Sequence, residues 1–389
     1  MSGDPSPPGG ATSGDPAADG LVVDAEIRRG DAVVVAAFSV APGTTTALVG
    51  PNGAGKTTLI EAVAGLVPLS RPEVSGRSTS VRIDGRILDD PVRDVFVPPE
   101  QRSVGVVFQD LRLFDHLDVL SNVAFGRRAR GEARSDAESI ARRWIGAVGL
   151  GGAESSRPAE LSGGQAQRVA LARALAADPD VLLFDEPLSS LDVRTRAEMR
   201  RLVRTHLDAL NGPRLLVTHD PADAFALADQ VVVLEGGRVT QTGTPAEIQR
   251  RPATSYVAAL GGVNLVWGDA SDGRVVVSVD GSASGAEQVH ERPLELTVLD
   301  HEVAGPVRCT IPPSAIALSP SRPRGSQRNV WVATVRSVEP MGDRVRIVLD
   351  GPVGLAADVT PGAVAALSLG PGVEVWAAVK ATEIDVQPV

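Results

Sequence analysis

The order of apolar and polar positions divides this chain into two parts with different periods. From Leu21 to about residue 250, short runs rich in valine and leucine alternate with stretches of helical period. The runs AVVVAAFSV, TTTALVG, VGVVFQ, DVLLFDEP, RLLVTHD and QVVVLEGG predict strands, and KTTLIEAVAGL predicts a helix. Apolar strands that alternate with helices indicate a largely parallel, buried sheet.

From about residue 264 onward, the pattern changes to short strands of period two divided by turns. In DRVRIVLDG, Val345, Ile347 and Leu349 share one face. VEVWAAVKATEI alternates in the same way, with Trp376 and Lys380 on the face opposite its valines. This part is therefore expected to be all-β, with one or two small barrels.

The two patterns predict an α/β domain followed by an all-β domain. The first 20 residues are rich in Gly, Pro, Ser and Asp, so 1–20 is expected to be a disordered tail. The α/β domain is expected over 21–250 and a linker over 251–263, where the polar stretch QRRPATSYVAALGGVN lies. The all-β domain is expected over 264–389.

Composition narrows the class of protein. A net charge of −10 over 389 residues argues against non-specific nucleic-acid binding, which depends on clustered basic charge. The single cysteine, Cys309, excludes an intrachain disulfide, fits a reducing cytosol and is expected to be an inert strand residue. No run of 18 apolar residues is present, so we expect no segment of this chain to span a membrane.

GPNGAGKTT lies between a predicted strand and a predicted helix and fits the pattern G-x-x-x-x-G-K-[ST]. Its glycines free backbone N–H groups to surround phosphates, and the helix adds the positive end of its dipole. Lys56 is one of two lysines among 38 basic residues, and its compact ammonium reaches between phosphates better than a planar arginine fork. The predicted phosphate contacts are Gly50, Pro51, Asn52, Gly53, Ala54, Gly55, Lys56, Thr57 and Thr58.

Polar side chains at other strand ends complete a candidate site for ATP hydrolysis. In VLLFDEP, Asp185 is expected to hold Mg²⁺ through water and Glu186 to orient the attacking water. Gln109, which ends VGVVFQ, is expected to contact both metal and water. His219, in RLLVTHD, is expected to donate a hydrogen bond to the γ-phosphate. Glu186, His219 and Gln109 form the predicted catalytic group, and Thr57, Gln109 and Asp185 are the predicted Mg²⁺ ligands.

LSGGQAQRVALARAL opens an alanine-rich helix with a second phosphate-binding N-terminus, although one ATP needs only one. With these motifs in this order, the chain resembles the ATP-binding subunits of ABC transporters over about 21–250. The resemblance identifies a signature at Leu161, Ser162, Gly163, Gly164 and Gln165. It also identifies a dimer loop, SSLD, with Ser189 and Asp192.

The resemblance implies a head-to-tail homodimer in which Ser162 and Gly164 of one subunit close over ATP held by the other. ATP binding would close the dimer, and hydrolysis would reopen it. The insert at about 110–165 would be a helical subdomain that receives the coupling helices of a membrane partner. There, Phe114, His116 and Leu117 are either exposed apolar anchors or local core.

The adenine site departs from the family pattern. Such subunits usually place an aromatic residue near the first strand to stack on adenine, but AEIRRGDAVVV contains none. Either the guanidinium of Arg28 or Arg29 stacks on the base, or adenine binding is weaker.

The second lysine, Lys380, is either a solvated surface residue or an anion ligand. SQRNVWVATVRSVEPMGDRVRIVLDG and VWAAVKATEIDV together resemble the molybdate-binding (Mop/TOBE-like) domain of molybdate-storage proteins and molybdate-importer ATPases, over about 326–388. A tetrahedral dianion suits a cluster of N–H and O–H donors with one compact cation. By this resemblance, the oxyanion ligands are Ser326, Arg328, Asn329, Lys380, Ala381 and Thr382.

Together, these features predict the ATPase subunit of a bacterial oxyanion importer, with ATP and Mg²⁺ as cofactors. Molybdate or tungstate would be a regulatory ligand. The resemblance implies a homodimer at the cytoplasmic face of the membrane, bound to two permease subunits and fed by an extracellular oxyanion-binding protein. The alternatives are an importer ATPase for sulfate, ferric ion or polyamines, and a soluble ABC ATPase of DNA repair or translation. The soluble class usually carries two cassettes or long coiled-coil inserts, and this chain has neither.

Overall fold

The computed structural model describes residues 20–73, 78–189, 191–207, 211–278 and 294–389. The chain divides into two compact units, Met1–Thr242 and Gly243–Val389. Apart from Gly20, the tail expected at 1–20 lies outside the described residues.

Within the described residues, one eleven-stranded sheet organises the first unit. Its strands are β1 (Leu21–Arg29), β2 (Ala32–Val40), β3 (Thr45–Val49), β4 (Ser80–Ile83), β5 (Arg86–Asp90), β6 (Val95–Phe96), β7 (Val104–Val107), β8 (Val181–Asp185), β9 (Arg214–Val217), β10 (Gln230–Glu235) and β11 (Arg238–Gly243). All six runs predicted as strands are strands here.

The helices of this unit are α1 (Lys56–Ala64), α2 (Val119–Ala129), α3 (Arg134–Ala147), α4 (Gly163–Ala176), α5 (Val193–Leu207) and α6 (Pro221–Leu227), with 3₁₀ turns at Pro99–Gln101 and Pro158–Glu160. The helix predicted in KTTLIEAVAGL is α1. Helices α2 and α3 fall in the insert expected to be helical, and they share a core with α4, β8 and α5.

The prediction of a largely parallel sheet is wrong for half of this sheet. Strands β10, β3, β9, β8 and β7 run parallel, and β3, β8 and β9 are buried at every described position. By contrast, β2, β1, β4, β5 and β6 are antiparallel neighbours. Short turns join β1 to β2 and β4 to β5, and such turns connect only antiparallel strands. Because β3, β7, β8 and β9 run parallel, their carboxyl ends lie at the same edge of the sheet.

In the second unit, the residues that the structure describes form two five-stranded sheets over one shared core. Its elements are α7 (Pro245–Arg250), α8 (Ser255–Gly261), β12 (Asn264–Ser271), β13 (Arg274–Val277), β14 (Glu295–Thr297), β15 (Gly305–Ile311), β16 (Ala317–Ser319), β17 (Asn329–Met341), β18 (Arg344–Asp350), β19 (Leu355–Val359), α9 (Pro361–Ala366), β20 (Glu374–Val379) and β21 (Asp385–Pro388), with 3₁₀ turns at Pro313–Ala315 and Ala381–Glu383. The segment 251–263, expected as a linker, holds α8, whose N-terminus is capped by the Thr254 hydroxyl.

The second unit repeats one pattern, and the repeats exchange their last strands. Each repeat ends in a strand, a 3₁₀ turn and a short strand: β15 and β16 in the first, β20 and β21 in the second. β16 pairs with β20, and β21 pairs with β15, so each sheet is completed by the other repeat.

An asparagine starts the first strand of each repeat and bonds backbone groups of the opposite sheet. The buried Asn264 side chain bonds the N–H and C=O of Ala356, and the buried Asn329 side chain bonds those of Thr297. Cys309 lies buried in β15, as predicted. In the described part of the chain, no helix has the length and apolar character needed to cross a membrane.

Candidate functional site

The phosphate loop lies between β3 and α1, as the sequence predicts. Gly55 has a φ of 102° at the N-cap of α1, and an added Cβ there would meet the Val34 side chain. An added Cβ at Gly50 would meet the Leu234 carbonyl. Both positions therefore require glycine. The first N–H groups of α1 have no acceptors within the helix, and they point toward this loop.

Lys56 folds back over the loop that precedes it. Its Nζ donates to the carbonyls of Gly50, at 2.8 Å, and Pro51, at 3.0 Å, and the residue is 6% exposed. Burial lowers the pKa of the ammonium, whereas the charges of Glu186 and Asp185 act in the opposite direction. An ammonium held at this position is suited to phosphate oxygens, which carry the opposite charge.

Thr57 and Asp185 meet where a metal ion would bind. Asp185 ends β8 and is 5% exposed, and its Oδ1 accepts a 3.4 Å hydrogen bond from the Thr57 hydroxyl. Burial raises the pKa of this carboxyl, and the hydrogen bond from Thr57 opposes the shift. A buried carboxylate beside a hydroxyl is a donor set that fits Mg²⁺, which prefers oxygen ligands.

Glu186 and His219 are in contact at the ends of β8 and β9. Glu186 Oε2 lies 3.0 Å from His219 Nδ1, and Glu186 has a φ of 47°. Backbone strain of this kind is often found at functional positions. The strain is held because the Glu186 N–H donates to Val217 and its carbonyl accepts from the Ser189 N–H and hydroxyl. A carboxylate in this position can accept a proton from a water molecule that attacks a phosphate.

Gln109 reaches the same edge of the sheet from β7. Val107 pairs with Phe184 in neighbouring parallel strands, so Gln109 and Glu186 each lie two residues beyond that pair. The Gln109 side chain is exposed. The structure therefore brings the loop, Asp185, Glu186, His219 and Gln109 to one edge.

Ser162, Gly163 and Gln165 of the signature and Asp192 of the dimer loop are exposed, whereas Leu191 of that loop is buried. Ser162 caps α4 by accepting from the Gln165 N–H, and the Gln165 side chain accepts from the Ser162 N–H. Asp192 Oδ1 accepts hydrogen bonds from the backbone N–H groups of Arg194 and Thr195, at 3.1 Å each. Bonds from Thr195 lower the pKa of the Asp192 carboxyl. Within the described residues, the side-chain hydrogen bonds of the signature are those between Ser162 and Gln165.

The two arginines near the expected adenine site form ion pairs. Arg28 contacts Glu26 at 2.7 Å and Glu73 at 2.9 Å. Arg29 contacts Glu61 of α1 at 3.0 Å. Arg29 is therefore held beside the helix that follows the phosphate loop.

Sequence reasoning missed two arginines that support this site. Arg102, 1% exposed, donates to the carbonyls of Ala62 and Val63 near the end of α1, and its partner carboxylate is Asp89 at 3.7 Å. Arg196 of α5 contacts the dimer loop. For Arg196, the spacing of four residues to Arg200 and Arg204 was the available signal.

The C-terminal unit brings the two predicted oxyanion segments together. Asn329 pairs with Val379 at the last register position between β17 and β20, so Arg328 and Lys380 occupy the next opposed positions. Both side chains are exposed, and neither pairs with a carboxylate of the residues that the structure describes. Ser326 is exposed nearby in sequence, and Ala381 and Thr382 lie in the 3₁₀ turn after Lys380.

Among the predicted oxyanion ligands, Asn329 already has hydrogen-bond partners within the fold. The Asn329 side chain bonds the backbone of Thr297, so its amide stabilises the fold. A cation that the sequence did not single out lies near the segment, because Arg322 packs over the Trp376 ring at 5.7 Å.

Comparison with known proteins finds one matching family model in each of the two units. A family model described as ABC transporter matches residues 35–189, and a TOBE domain model matches 325–386. A molybdenum import ATP-binding protein of Mycobacterium tuberculosis is 39% identical over 90% of this chain and 93% of its own length. A ferric-ion import ATP-binding protein of Streptomyces avermitilis is 42% identical over 74% of this chain and 81% of its own. A sulfate/thiosulfate import ATP-binding protein of Mycobacterium bovis is 39% identical over 73% and 81%.

Proposed function

Because this chain belongs to the family of ABC transporter ATP-binding proteins with a TOBE domain, we propose that it hydrolyses ATP to drive import of an oxyanion, with molybdate as the cargo. The relative that aligns over 90% of this chain is named for molybdenum import. The relatives named for ferric ion and for sulfate are of similar identity, so the cargo depends on the chemistry of the C-terminal unit.

The residues of the first unit have the chemistry for the ATP step. Lys56 and the N–H groups of α1 bind the phosphates, and Glu186 takes a proton from the attacking water. His219, in contact with Glu186 through Nδ1, orients that carboxylate and offers its other ring nitrogen to the γ-phosphate. When bound at Thr57, Asp185 and Gln109, Mg²⁺ neutralises phosphate charge. The exposed signature suits a role in a homodimer, where it would close over ATP held by the partner.

The opposed cations Arg328 and Lys380 carry the cargo proposal. Like charges at directly opposed positions of a strand pair are destabilising, unless an anion lies between them. Here the pair ends a ladder in a chain of net charge −10, and a 3₁₀ turn adds the Thr382 hydroxyl and backbone N–H groups. This set of donors suits a tetrahedral dianion, whereas ferric ion and polyamines are cations.

Calorimetry on the full-length chain tests the cargo. We expect molybdate and tungstate to bind similarly, because the two dianions have nearly the same size and charge, and we expect sulfate to bind weakly or not at all. Lys380→Ala should abolish binding. Arg344→Ala is the matched control, because Arg344 is also an exposed cation beside β17 but lies near its other end, roughly 40 Å away along the strand.

Each other outcome contradicts part of the proposal. Sulfate binding alone would identify a sulfate importer, and equal loss in both variants would exclude a role for Lys380. If no anion binds, the oxyanion proposal is wrong, and ferric-ion import becomes the leading alternative. Co-purification with membranes separates all importers from a soluble ABC ATPase.

The proposed setting is peripheral, at the cytoplasmic face of the membrane. There, the homodimer would act on two permease subunits supplied by an extracellular oxyanion-binding protein. The proposed domains are 21–250 for the ATPase, with its helical subdomain at about 110–165, and 264–389 for the anion-binding part.

A further inference from the structure

Three arginines on one face of α5 bond to successive turns of α6. Arg196, Arg200 and Arg204 are spaced four residues apart, so they share one face of α5. Arg196 contacts Asp220 and Arg200 contacts Asp223, both as ion pairs, and Arg204 donates to the Ala226 carbonyl. The bonds of Arg200 and Arg204 are ordinary helix-to-helix contacts away from the nucleotide site.

Arg196 differs from the other two because it also contacts the dimer loop. Its Nη1 donates to Asp220 Oδ2 at 2.8 Å, and its Nη2 donates to the carbonyls of Ser189 at 3.3 Å and Leu191 at 3.1 Å. One guanidinium therefore joins the loop after β8 to the turn after β9.

The loop after β8 and the turn after β9, which Arg196 joins, lie next to Glu186 and His219, the two side chains in contact at the site. His219 immediately precedes Asp220, whose other oxygen caps α6 by accepting from the Ala222 N–H. Glu186 lies three residues before Ser189 of the dimer loop, and its carbonyl accepts from both the N–H and the hydroxyl of Ser189. The distance between Glu186 and His219, 3.0 Å, thus depends on segments that Arg196 holds together.

We propose that Arg196 is a positioning residue for ATP hydrolysis, which fixes the dimer loop to the His219 turn and so sets His219 against Glu186. This inference rests on the proposed ATPase function. If the dimer loop shifts when two chains associate, Arg196 carries that shift to His219.

Packing of α5 on α6 does not account for these contacts. Arg200 and Arg204 already join the two helices, and the Nε of Arg196 is buried without a hydrogen-bond partner in the described residues. A buried unpaired donor is unfavourable. A side chain that served only to pack the helices would not need a guanidinium that bonds both the dimer loop and Asp220.

Steady-state ATPase kinetics of the full-length chain test the inference. Arg196→Gln should lower kcat about 10-fold or more and leave the KM for ATP within about twofold, because small displacements of catalytic groups affect chemistry more than binding. Arg204→Gln is the matched control: it removes one α5-to-α6 bond two turns away. It should keep the wild-type kcat. Arg196→Lys, which keeps the charge but not the fork, should restore part of kcat.

A double-mutant cycle with Asp220→Asn separates positioning from folding. Asparagine keeps the cap of α6, so Asp220→Asn should lower kcat alone but add little to Arg196→Gln. The midpoint temperature of thermal unfolding should fall by similar amounts in Arg196→Gln and Arg204→Gln. Additive effects on kcat, or equal kcat in those two arginine variants, would contradict the role of Arg196. A wild-type chain without ATPase activity would instead contradict the proposed function, and the inference that rests on it would fall as well.

Discussion

At the scale of single residues, the two lysines lie in opposite surroundings. Lys56 is buried and donates to two carbonyls of its own loop, whereas Lys380 is exposed and opposes Arg328. In a chain whose 36 other Lys and Arg residues are all arginines, each lysine provides one compact charge, which differs in shape from a planar guanidinium.

Lys56→Arg should abolish ATP hydrolysis even though it keeps the charge. The longer, planar fork does not fit between the carbonyls of Gly50 and Pro51, and we expect kcat/KM to fall by about 100-fold or more. Phosphate release measures the loss, and binding of a fluorescent ATP analogue shows whether nucleotide is still held. A variant with more than about a tenth of wild-type activity would show that the compact charge is not required.

Cys309 should be chemically inert while the chain is folded. Burial in β15, with a smaller contribution from the charge of Asp385, raises the pKa of the thiol to about 12. At pH 8, therefore, almost no thiolate is present to react. Iodoacetamide should modify the chain only after denaturant is added, and mass spectrometry reports this directly because there is one cysteine. Rapid labelling of the native chain would contradict the prediction.

At the scale of elements, the insert presents a loop that is held by its backbone. Asn122 of α2 is fully buried and bonds the carbonyls of Phe114, Leu117 and Asp118. Phe114 packs on Phe125, with ring centroids 4.4 Å apart. The side chain of Leu117 is only half-buried, so its substitution leaves the backbone bonds of the loop in place.

Leu117→Glu should uncouple transport from ATP hydrolysis. If this loop receives the membrane partner, a charge there blocks docking, while ATP turnover continues. Uptake and ATPase activity are measured together in the complex with the permease subunits. Leu66→Glu is the matched control, because Leu66 is 47% exposed but follows α1 instead of lying in the insert. Unchanged uptake in Leu117→Glu would exclude this loop as the docking site.

The sequence predicted these elements well where an apolar period or a glycine motif defines them. The six strands and α1 are where the pattern places them, because a run such as DVLLFDEP has few other ways to be buried. The antiparallel half of the sheet was not predicted, since pairing direction depends on turns that no apolar period reveals. The three-residue β16 is likewise too short for any period to be seen.

The site residues were predictable by type but not always by role. Glu186 and His219 were predicted separately from their strand ends, and only the fold shows them in contact. Asn329 was predicted as an anion ligand, yet its amide is bonded to Thr297. Arg196 was not predicted: its four-residue spacing to Arg200 and Arg204 marks a helix face, but its partners are backbone carbonyls and a capping carboxylate that only the fold brings to it.

At the scale of the whole molecule, one chain combines a nucleotide site with a candidate anion site. The matches to an ABC transporter model and a TOBE domain model fall in different units. Under the proposed function, joining the two sites in one chain offers a way for bound cargo to limit further ATP turnover.

Molybdate should therefore lower ATP turnover in the assembled transporter, and Lys380→Ala should be resistant. The physical reason is linkage: an anion that binds one conformation better stabilises it, here a resting state. ATPase assays with and without molybdate, in wild type, Lys380→Ala and Arg344→Ala, measure the effect. Equal inhibition of all three would show that the anion acts elsewhere, and no inhibition of wild type would leave the C-terminal unit as an anion store.

The exchange of β16 and β21 has a consequence for how the C-terminal unit is made. The first repeat cannot complete its own sheet, because the strand that pairs with β15 is β21, at Asp385–Pro388. Contacts between segments so far apart in sequence form slowly. During synthesis, strands β12 to β15 are therefore completed before β21 is made. Until then, the edge of β15 that pairs with β21 is open. A stalled or truncated chain that lacks β21 would expose that edge, and an exposed edge strand pairs readily with other chains.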